Sequence, residues 1–306
     1  MVFFKEIDRF FPVFLLGGVI SGFSFPSFFQ PYEPYVIYII MFIMFLLYLK
    51  VDALDILTHI KNPGLILYVT FFNLVLLPII TFFLFQNTDT ELHSALVLLA
   101  ALPAGVTAAT FTDIMKGRGS LSLTITLVTN LLATLTIPFV FLMLFNTNLT
   151  ELVNIQVLFF GLLKVMLIPL FIAKLFKYIF IKKWIKDLRD YYNPIILILM
   201  SFMIMCCVSS HASYILGNYQ SLLKILGILF LLFFMFQLLG YFSIFWKAHK
   251  GIKLAVSTST MNMNNVLGIV LSIGFFPPMV TTIMILSFIP WTTIIILKHW
   301  YKKYLP

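Results

Sequence analysis

The sequence predicts an all-α membrane protein of about ten spanning helices. Hydrophobic residues make up 61% of the 306 residues, charged residues make up only 10%, and the mean hydropathy is +1.06. The apolar residues form blocks close to the length of a spanning helix, for example at 35–49, 65–85 and 222–245. A water-soluble domain needs polar helix faces that these blocks lack. The composition therefore excludes a soluble globular fold, and no soluble domain is expected.

The basic residues predict the orientation of these helices. Lys and Arg precede the first apolar block and then occupy every second gap between blocks, most densely at 174–189. This alternation is the positive-inside pattern, and it predicts a multi-pass protein of the inner membrane with both termini in the cytoplasm. The net charge of +9 follows from this topology. It therefore does not indicate nucleic acid as a partner.

The apolar blocks also predict where each helix lies. We expect helices near residues 10–29, 34–49, 63–85, 93–115, 120–145, 152–173, 193–210, 222–246, 252–274 and 276–297. The fourth and the ninth differ from the others because they are polar. The fourth contains the run PAGVTAATFTD at 103–113, and the ninth contains STSTMNMNN at 257–265. Lipid offers these amides and hydroxyls no hydrogen-bond partner, so both runs must face protein, water or a ligand.

The positions of the two polar runs suggest a repeated architecture. Pro103 removes a backbone donor and Gly105 loosens the helix, so we expect a break in the fourth helix. The two runs are equivalent if the chain consists of two inverted five-helix repeats, 1–151 and 152–306. Interrupted helices at matching places in inverted repeats indicate a transporter's binding site near the membrane midplane. The alternative is two polar helices packed inside a bundle. We favour the site, and its candidate substrate-binding residues are Thr107, Thr110, Asn262 and Asn265.

Nearly all charged residues lie at the ends of the predicted spans, but two do not, and charges inside a span are costly and often functional. Lys164 lies in the middle of the sixth helix. It would bind the carboxylate or sulfonate of an anionic substrate, exchange a proton, or extend along the helix to the headgroups. Asp113 lies near the inner end of the fourth helix. It would bind sodium or a proton near Ala109, or form an ion pair with Lys116.

Short motifs in these blocks carry a family resemblance. The fourth and fifth blocks contain Pro103-Ala104-Gly105, Lys116-Gly117, Leu121-Ser122 and Pro138, and the ninth contains Met263-Asn264-Asn265, followed by Leu271, Phe275 and Pro277-Pro278. These motifs resemble the two signatures of the bile acid:sodium symporter family. The resemblance implies a core domain of the third to fifth and eighth to tenth helices, in which the broken helices cross. It implies a panel domain of the first, second, sixth and seventh helices. It also implies a secondary transporter that carries a small organic anion by alternating access.

The residues that would bind sodium depart from the family's pattern. Ala108 and Ala109 stand where the family has a Ser-Asn pair, and Thr260 stands where it has a glutamate. Because a carboxylate offsets the desolvation of sodium and this one is missing, we expect sodium to bind weakly or not at all. Glutamines of the family are matched by asparagines, and a serine and a threonine are retained. The candidate ion-binding residues are Asn73, Ala108, Ala109, Asp113, Ser122, Thr126, Thr260, Met261, Met263 and Asn264.

The sequence also bears on classes of function other than transport. An enzyme is not expected, because the sequence has no His-Glu-x-x-His pattern, no Gly-x-Ser-x-Gly pattern and no paired intramembrane carboxylates. A proton-coupled or uncoupled carrier of the same fold is an alternative, and so is a membrane receptor or channel, because a fold does not fix function. The expected partners are the lipid bilayer and a small organic anion. No cofactor is expected, and the one ion considered, sodium, is expected to bind weakly or not at all.

Overall fold

The computed structural model describes residues 11–50, 63–105, 107–145, 155–179, 189–290 and 293. The elements in these ranges are helical, apart from one isolated backbone bridge between Ala104 and Met263. The basic residues near both termini and the loop around residue 151 lie outside the described residues. The predicted orientation of the chain in the membrane therefore stays a prediction.

The helices lie within or close to the segments predicted to be helical. In chain order they are α1 (Phe11–Ser24), α2 (Pro26–Phe29), α3 (Val36–Lys50), α4 (Pro63–Phe71), α5 (Leu77–Leu84), α6 (Thr90–Ala101), α7 (Thr107–Ile114), α8 (Gly119–Phe145), α9 (Ile155–Ile179), α10 (Arg189–Gly217), α11 (Tyr219–Phe242), α12 (Lys250–Met261), α13 (Asn265–Phe275) and α14 (Pro278–Leu286). A 3-10 helix, Gln30–Tyr35, joins α2 to α3, and a π-helix, Phe72–Leu76, joins α4 to α5.

Many of these helices suit a membrane by length and composition. Six helical stretches among the described residues are long and apolar enough to cross one: Pro26–Leu49, Pro63–Leu84, Gly119–Phe145, Gln156–Ile179, Pro194–Gly217 and Tyr219–Phe242. Shorter apolar helices cover Val13–Ser24, Thr90–Ala101, Asn265–Phe275 and Pro278–Pro290. Large apolar side chains such as Leu135, Phe139 and Leu142 of α8 are exposed. Such a surface is stable against hydrocarbon and unfavourable in water.

The chain divides into two compact units. Unit 1 comprises Met1–Asp55 and Phe160–Tyr219, and unit 2 comprises Ile56–Phe159 and Gln220–Pro306. Unit 1 thus holds α1 to α3, most of α9, and α10, which is the grouping that the resemblance implies for the panel. Unit 2 holds the remaining helices. Because each unit draws helices from both halves of the chain, the division does not test the repeats 1–151 and 152–306.

Unit 1 is built around close contact between α1 and α10. A Cβ atom added at Gly18 would lie 3.0 Å from the backbone oxygen of Ser201, and one at Gly22 would lie 2.9 Å from that of Met205. The hydroxyl of Ser209 also donates a hydrogen bond of 2.9 Å to the backbone oxygen of Gly22. The two glycines therefore let the helix backbones approach, as small residues commonly do in membranes.

Unit 2 is built around the long helix α8. This helix contacts α4, the π-helix, α6, α7 and α12, while α6 and α13 both pack against α14. The predicted helix 93–115 is divided into α6 and α7, and the predicted helix 252–274 is divided into α12 and α13. The predicted helix 63–85 carries the π-helix, which the sequence pattern did not indicate. A π-turn adds one residue to a helical turn and is frequent at functional sites, and this one contains Asn73.

Candidate substrate site at two broken helices

The first break in unit 2 comprises residues 102–105. Helix α6 ends at Ala101, Leu102 is extended with φ −64° and ψ 141°, and α7 begins at Thr107. Pro103 cannot donate a backbone hydrogen bond, so it favours this exit from the helix. The close approach of the two backbones requires glycine at position 105, since a Cβ atom there would lie 2.8 Å from the backbone oxygen of Met263.

The second break comprises residues 262–264 and contains neither proline nor glycine. Helix α12 ends at Met261 and α13 begins at Asn265. Between them Asn262 has φ −91° and ψ 81°, and Asn264 has φ −79° and ψ 71°. Asparagine side chains compete with the backbone for hydrogen bonds, which makes such a departure from the helix less costly.

The two breaks cross and bond to each other. Gly105 donates a backbone hydrogen bond of 2.6 Å to Asn262, and Asn264 donates one of 2.8 Å to Pro103. Ala104 and Met263 lie opposite each other as an antiparallel bridge. Backbone groups that leave a helix inside a membrane need such partners, because lipid supplies none. As a consequence, α7 and α13 both begin at the crossing, with their N-termini next to it.

One face of α8 fastens the first break. Ser122, Thr126 and Asn130 are spaced four residues apart and therefore lie on the same face of the helix; all three are buried. The hydroxyl of Thr126 donates to the backbone oxygen of Gly105 at 3.3 Å. Asn130 Nδ2 donates to the backbone oxygen of Ala104 at 2.8 Å, and Ala104 N donates to the hydroxyl of Thr129 at 3.2 Å. These bonds satisfy the polar groups that the break exposes.

The three asparagines of the second break region have different surroundings. Asn262 is paired with Thr107, with its Nδ2 3.1 Å and its Oδ1 3.3 Å from the Thr107 hydroxyl. Asn264 uses both polar atoms, because its Nδ2 donates to Asn130 Oδ1 at 3.2 Å and its Oδ1 accepts from Leu267 N at 3.2 Å. The structure thus joins two predicted substrate residues, Thr107 and Asn262. It engages the predicted ion ligand Asn264 in bonds within the protein.

Asn265 is the exception among them. Its side chain is 2% exposed, and neither its Oδ1 nor its Nδ2 has a hydrogen-bond partner among the described residues. It is the first residue of α13, directly at the crossing. A buried polar group without a partner costs about 1–3 kcal/mol, so such a group in a folded protein needs an explanation. Thr110 belongs to α7, and its side chain lies outside the described residues.

Asn73 and Thr260, both predicted ion ligands, are brought together. The Thr260 hydroxyl donates to Asn73 Oδ1 at 2.8 Å, and it also lies 2.9 Å from the backbone oxygen of Val256. Both side chains are buried. Asn73 Nδ2 and the hydroxyl of Thr70, one helical turn away, have no partner among the described residues. The group is therefore polar and uncharged.

The other predicted ion-binding residues offer few free oxygen atoms. The hydroxyl of Ser122 is hydrogen-bonded to that of Ser259 at 2.8 Å, and that of Thr126 is engaged at the first break. Ala108 is fully buried and Ala109 is half-buried, and neither has a polar side chain. Met261 and Met263 are buried, and the backbone oxygen of Met263 accepts a hydrogen bond of 3.0 Å from Asn265.

Asp113 lies at the opposite end of α7 from the crossing, about 9 Å along the helix from Thr107. Its side chain is exposed, and its Oδ1 accepts a hydrogen bond of 3.1 Å from Gly119 N, the first residue of α8. A carboxylate at this position favourably meets the partial positive charge of the helix N-terminus. Lys116 has a left-handed backbone with φ 59°, in the turn between α7 and α8. Asp113 thus has a local role in capping α8.

Lys164, the remaining predicted substrate residue, belongs to α9 and to unit 1, and its side chain is exposed. The crossing belongs to unit 2. The predicted role of Lys164 in binding an anion therefore stays a prediction.

The match to known proteins is at the level of a family. The model of the sodium bile acid symporter family matches residues 37–218 of the chain, which is more than half of it. The chain belongs to this family. Its members are transporters and not enzymes, so this symporter homologue is a multi-pass membrane transporter and not an enzyme. As a transporter it binds a small-molecule substrate within the bilayer. A search of curated proteins found no match.

Three residues of the symporter homologue's crossing were not among the predicted site residues. They are Thr129, Asn130 and Ser259, all of which bond to a break or to a predicted site residue. Extending the helix face of Ser122 and Thr126 by one further turn reaches Thr129 and Asn130. The signal for these two was therefore present in the sequence. Ser259 lies in the predicted polar run, where nothing distinguished it from its neighbours.

Proposed function

We propose that the protein is a secondary transporter that carries a small organic anion across the cell membrane by alternating access. The substrate would bind where the N-termini of α7 and α13 meet. The observation that carries this proposal is the carboxamide of Asn265, which is buried at that point without a partner. A bound ligand would supply the hydrogen bonds that the carboxamide lacks.

The electrostatics of the crossing favour an anion. The N-terminus of a helix carries about half a unit of positive charge, and its first backbone N–H groups have no partner within the helix. Two such ends start at the crossing, in α7 and in α13. The neighbouring side chains of Thr107, Asn262 and Asn265 are neutral and can donate hydrogen bonds. A carboxylate or sulfonate is the kind of group that such a site would hold.

Alternating access rests on the symmetry that the two breaks suggest. They fall in the fourth and ninth predicted helices, which are equivalent positions if residues 1–151 and 152–306 are inverted repeats. An antiparallel crossing of the two breaks is the arrangement that a two-fold axis in the membrane plane would give. We further propose that the protein lies in the inner membrane and, on the distribution of basic residues, that both termini lie in the cytoplasm. Labelling of a cysteine introduced at position 151 from the cytoplasmic side would contradict this topology.

Lys164 is also proposed to take part in carrying the anion. It is an exposed cation in the middle of α9, and a cation within a spanning helix is costly unless it serves a function or reaches the headgroups. We propose that the ammonium group binds the acidic group of the substrate during part of the cycle. The alternative, that it extends to the headgroups, has a different outcome on mutation.

Coupling to sodium is proposed to be weak or absent. Sodium requires several oxygen ligands, and a carboxylate is the usual means of offsetting its loss of water. The hydroxyl of Thr260 is engaged by Asn73, and Ala108 and Ala109 offer no side-chain oxygen. Asp113 would be the remaining carboxylate for sodium or a proton, but its Oδ1 caps α8. An uncoupled carrier is therefore favoured over a proton-coupled one.

The decisive experiment is uptake into proteoliposomes. Purified protein would be tested with labelled cholate and with a set of smaller carboxylates and sulfonates, with and without gradients of sodium and pH. A carrier exchanges substrate across the membrane and shows accelerated uptake when unlabelled substrate is present inside, whereas a channel lacks this acceleration. The variant Asn265→Ala should abolish uptake, while Asn218→Ala, which changes an exposed asparagine at the end of α10, should leave it intact. Normal uptake by Asn265→Ala would contradict the site.

A further inference from the structure

Asn130 of α8 bonds to both broken helices with one side chain. Its Nδ2 donates to the backbone oxygen of Ala104 at 2.8 Å and to that of Thr126 at 2.7 Å. Its Oδ1 accepts a hydrogen bond of 3.2 Å from Asn264 Nδ2. The side chain is 6% exposed. A single carboxamide thus joins the first break, the second break and the helix that supports them.

The orientation of this carboxamide is fixed by backbone groups that can only donate or only accept a hydrogen bond. The backbone oxygen of Ala104 can only accept, so it must face the NH₂ group of Asn130. At the other end, Leu267 N can only donate, so it must face Oδ1 of Asn264. The two side chains between them therefore form one directed chain of hydrogen bonds, from Leu267 through Asn264 and Asn130 to Ala104. Neither amide can be rotated without placing like groups against each other.

The chain of hydrogen bonds connects the two helix ends of the proposed substrate site. Leu267 lies in the first turn of α13, and Ala104 lies in the break from which α7 starts. In a site of low dielectric, losing one of these bonds leaves its partner buried and unpaired, which costs about 1–3 kcal/mol. The relative position of the two helix N-termini is therefore held by Asn130 more strongly than by packing alone.

We propose that Asn130 is the positioning residue of the crossing: it holds the N-termini of α7 and α13 at the separation that an anion requires. The effect of Asn130 on transport rests on the proposed function. Its role in positioning the two helices does not depend on that function. Asn264 is thereby committed to the protein, whereas the adjacent Asn265 is left for the ligand. The arrangement explains why two neighbouring asparagines have such different surroundings.

The first test follows the positioning without any substrate. Backbone hydrogen exchange would be measured in wild type, Asn130→Ala and Thr136→Val, all as full-length protein in detergent. Thr136 is the matched control, because it lies in α8 and its hydroxyl donates only along its own helix, to Leu132 at 3.2 Å. Asn130→Ala should raise exchange about tenfold at both 104–105 and 262–267. Unchanged exchange at either break would overturn the proposal.

The second test uses an isosteric variant whose hydrogen bonding depends on pH. In Asn130→Asp the ionised carboxylate would place oxygen against the backbone oxygens of Ala104 and Thr126, whereas the protonated form can donate to one of them. Burial raises the pKa of a carboxyl group, so cholate uptake by this variant, relative to wild type, should recover as the pH falls from about 8 to about 5. The partners Ala104, Thr126 and Asn264 do not titrate, so the recovery would report the new carboxyl group.

The two tests separate this inference from the proposed function. Asn130→Ala should raise KM for cholate about tenfold with a smaller effect on kcat, and its uptake should show no recovery at low pH. If wild type fails to carry cholate while exchange at both breaks rises in Asn130→Ala, the positioning role is supported and cholate is excluded as the substrate. If Asn130→Asp shows the pH response of Asn130→Ala, the donor role of Asn130 is wrong.

Discussion

The hydroxyl of Thr260 donates a hydrogen bond of 2.8 Å to Oδ1 of Asn73, so that two predicted ion ligands satisfy each other. Both side chains are buried and neither is charged. At this position the resemblance implies a glutamate in place of Thr260. The carboxylate that would offset the desolvation of a cation is thus replaced by a neutral pair, and several properties of the transporter should change with it.

Sodium should not stabilise this protein. We expect the thermal midpoint of the purified protein to be the same in about 100 mM sodium chloride and in the same concentration of choline chloride. A site with a Kd above about 100 mM contributes less than about 0.4 kcal/mol under these conditions. Uptake should likewise be equal in the two salts. A rise in the midpoint that is specific to sodium would contradict the prediction.

Removing the hydroxyl of Thr260 should destabilise the protein. The variant Thr260→Val leaves Oδ1 of Asn73 buried without a donor, at a cost of about 1–3 kcal/mol. Thr260→Ser keeps the hydroxyl and is the matched control. Denaturant unfolding in detergent would measure both. A third variant, Gly240→Ala, should also destabilise, because its Cβ atom would lie 2.7 Å from both Cβ and Oγ1 of Thr260. Equal stability of Thr260→Val and wild type would show that the pair is not formed.

Asn264 and Asn265 should respond in opposite ways to truncation. Asn264→Ala breaks the bonds to Asn130 and Leu267, so it should lower the free energy of unfolding by about 1–3 kcal/mol. Asn265→Ala removes two polar atoms that have no partner among the described residues. It should leave the free energy of unfolding unchanged or raise it, yet abolish uptake. Thermal unfolding and uptake of the two variants would be measured side by side, and a large loss of stability in Asn265→Ala would show that its carboxamide bonds within the protein.

Parts of this arrangement were predictable because they depend on local chemistry. The polar runs at 103–113 and 257–265 indicated the broken helices, since Pro103 and the buried asparagines are incompatible with a lipid-facing helix. The family, likewise, was predicted from motifs of the same two segments, and the family match confirms it. Helical periodicity alone shows which residues share one face of a helix, and this was sufficient to group Ser122 with Thr126.

Other parts were not predictable because they depend on contacts between distant segments. The different roles of the three asparagines follow from their partners: Asn262 and Asn264 bond to side chains more than a hundred residues away, and Asn265 has no side-chain partner among the described residues. The π-helix at Phe72–Leu76 contains no proline or glycine from which it could have been predicted. The tight turn after α7 brings Oδ1 of Asp113 to Gly119 N, a contact that the sequence did not indicate, while the predicted role of Asp113 in binding sodium or a proton stays a prediction.

The crossing should depend on the absence of a side chain at Gly105. In Gly105→Ala the new Cβ atom would lie 2.8 Å from the backbone oxygen of Met263 and 3.2 Å from that of Asn262. Since these atoms belong to backbone, they cannot move aside without separating the breaks, and we expect a loss of about 1–3 kcal/mol in stability. Uptake should be lost as well.

Gly227→Ala is the matched control for Gly105→Ala. Gly227 lies inside α11, and an added Cβ atom would meet nothing within 4 Å. Alanine is better than glycine in a helix by up to about 1 kcal/mol, so this variant should be at least as stable as wild type and fully active. If Gly105→Ala behaves like Gly227→Ala in unfolding and uptake, the crossing is not as close as the structure indicates.

Lys164 should distinguish an anion-binding role from a structural one. The residue lies well inside α9, its side chain is exposed, and the nearer, N-terminal end of the helix is about 13 Å away. Extension of the side chain toward the headgroups covers only part of this distance. If the ammonium group binds the acidic group of the substrate, Lys164→Met should abolish uptake of an organic anion, and Lys164→Arg should retain part of it because the charge is kept. Both variants should unfold at the same temperature as wild type.

Lys174→Met, which changes a lysine near the end of the same helix, is the control and should transport normally. If Lys164→Met transports at the wild-type rate, Lys164 does not bind the anion.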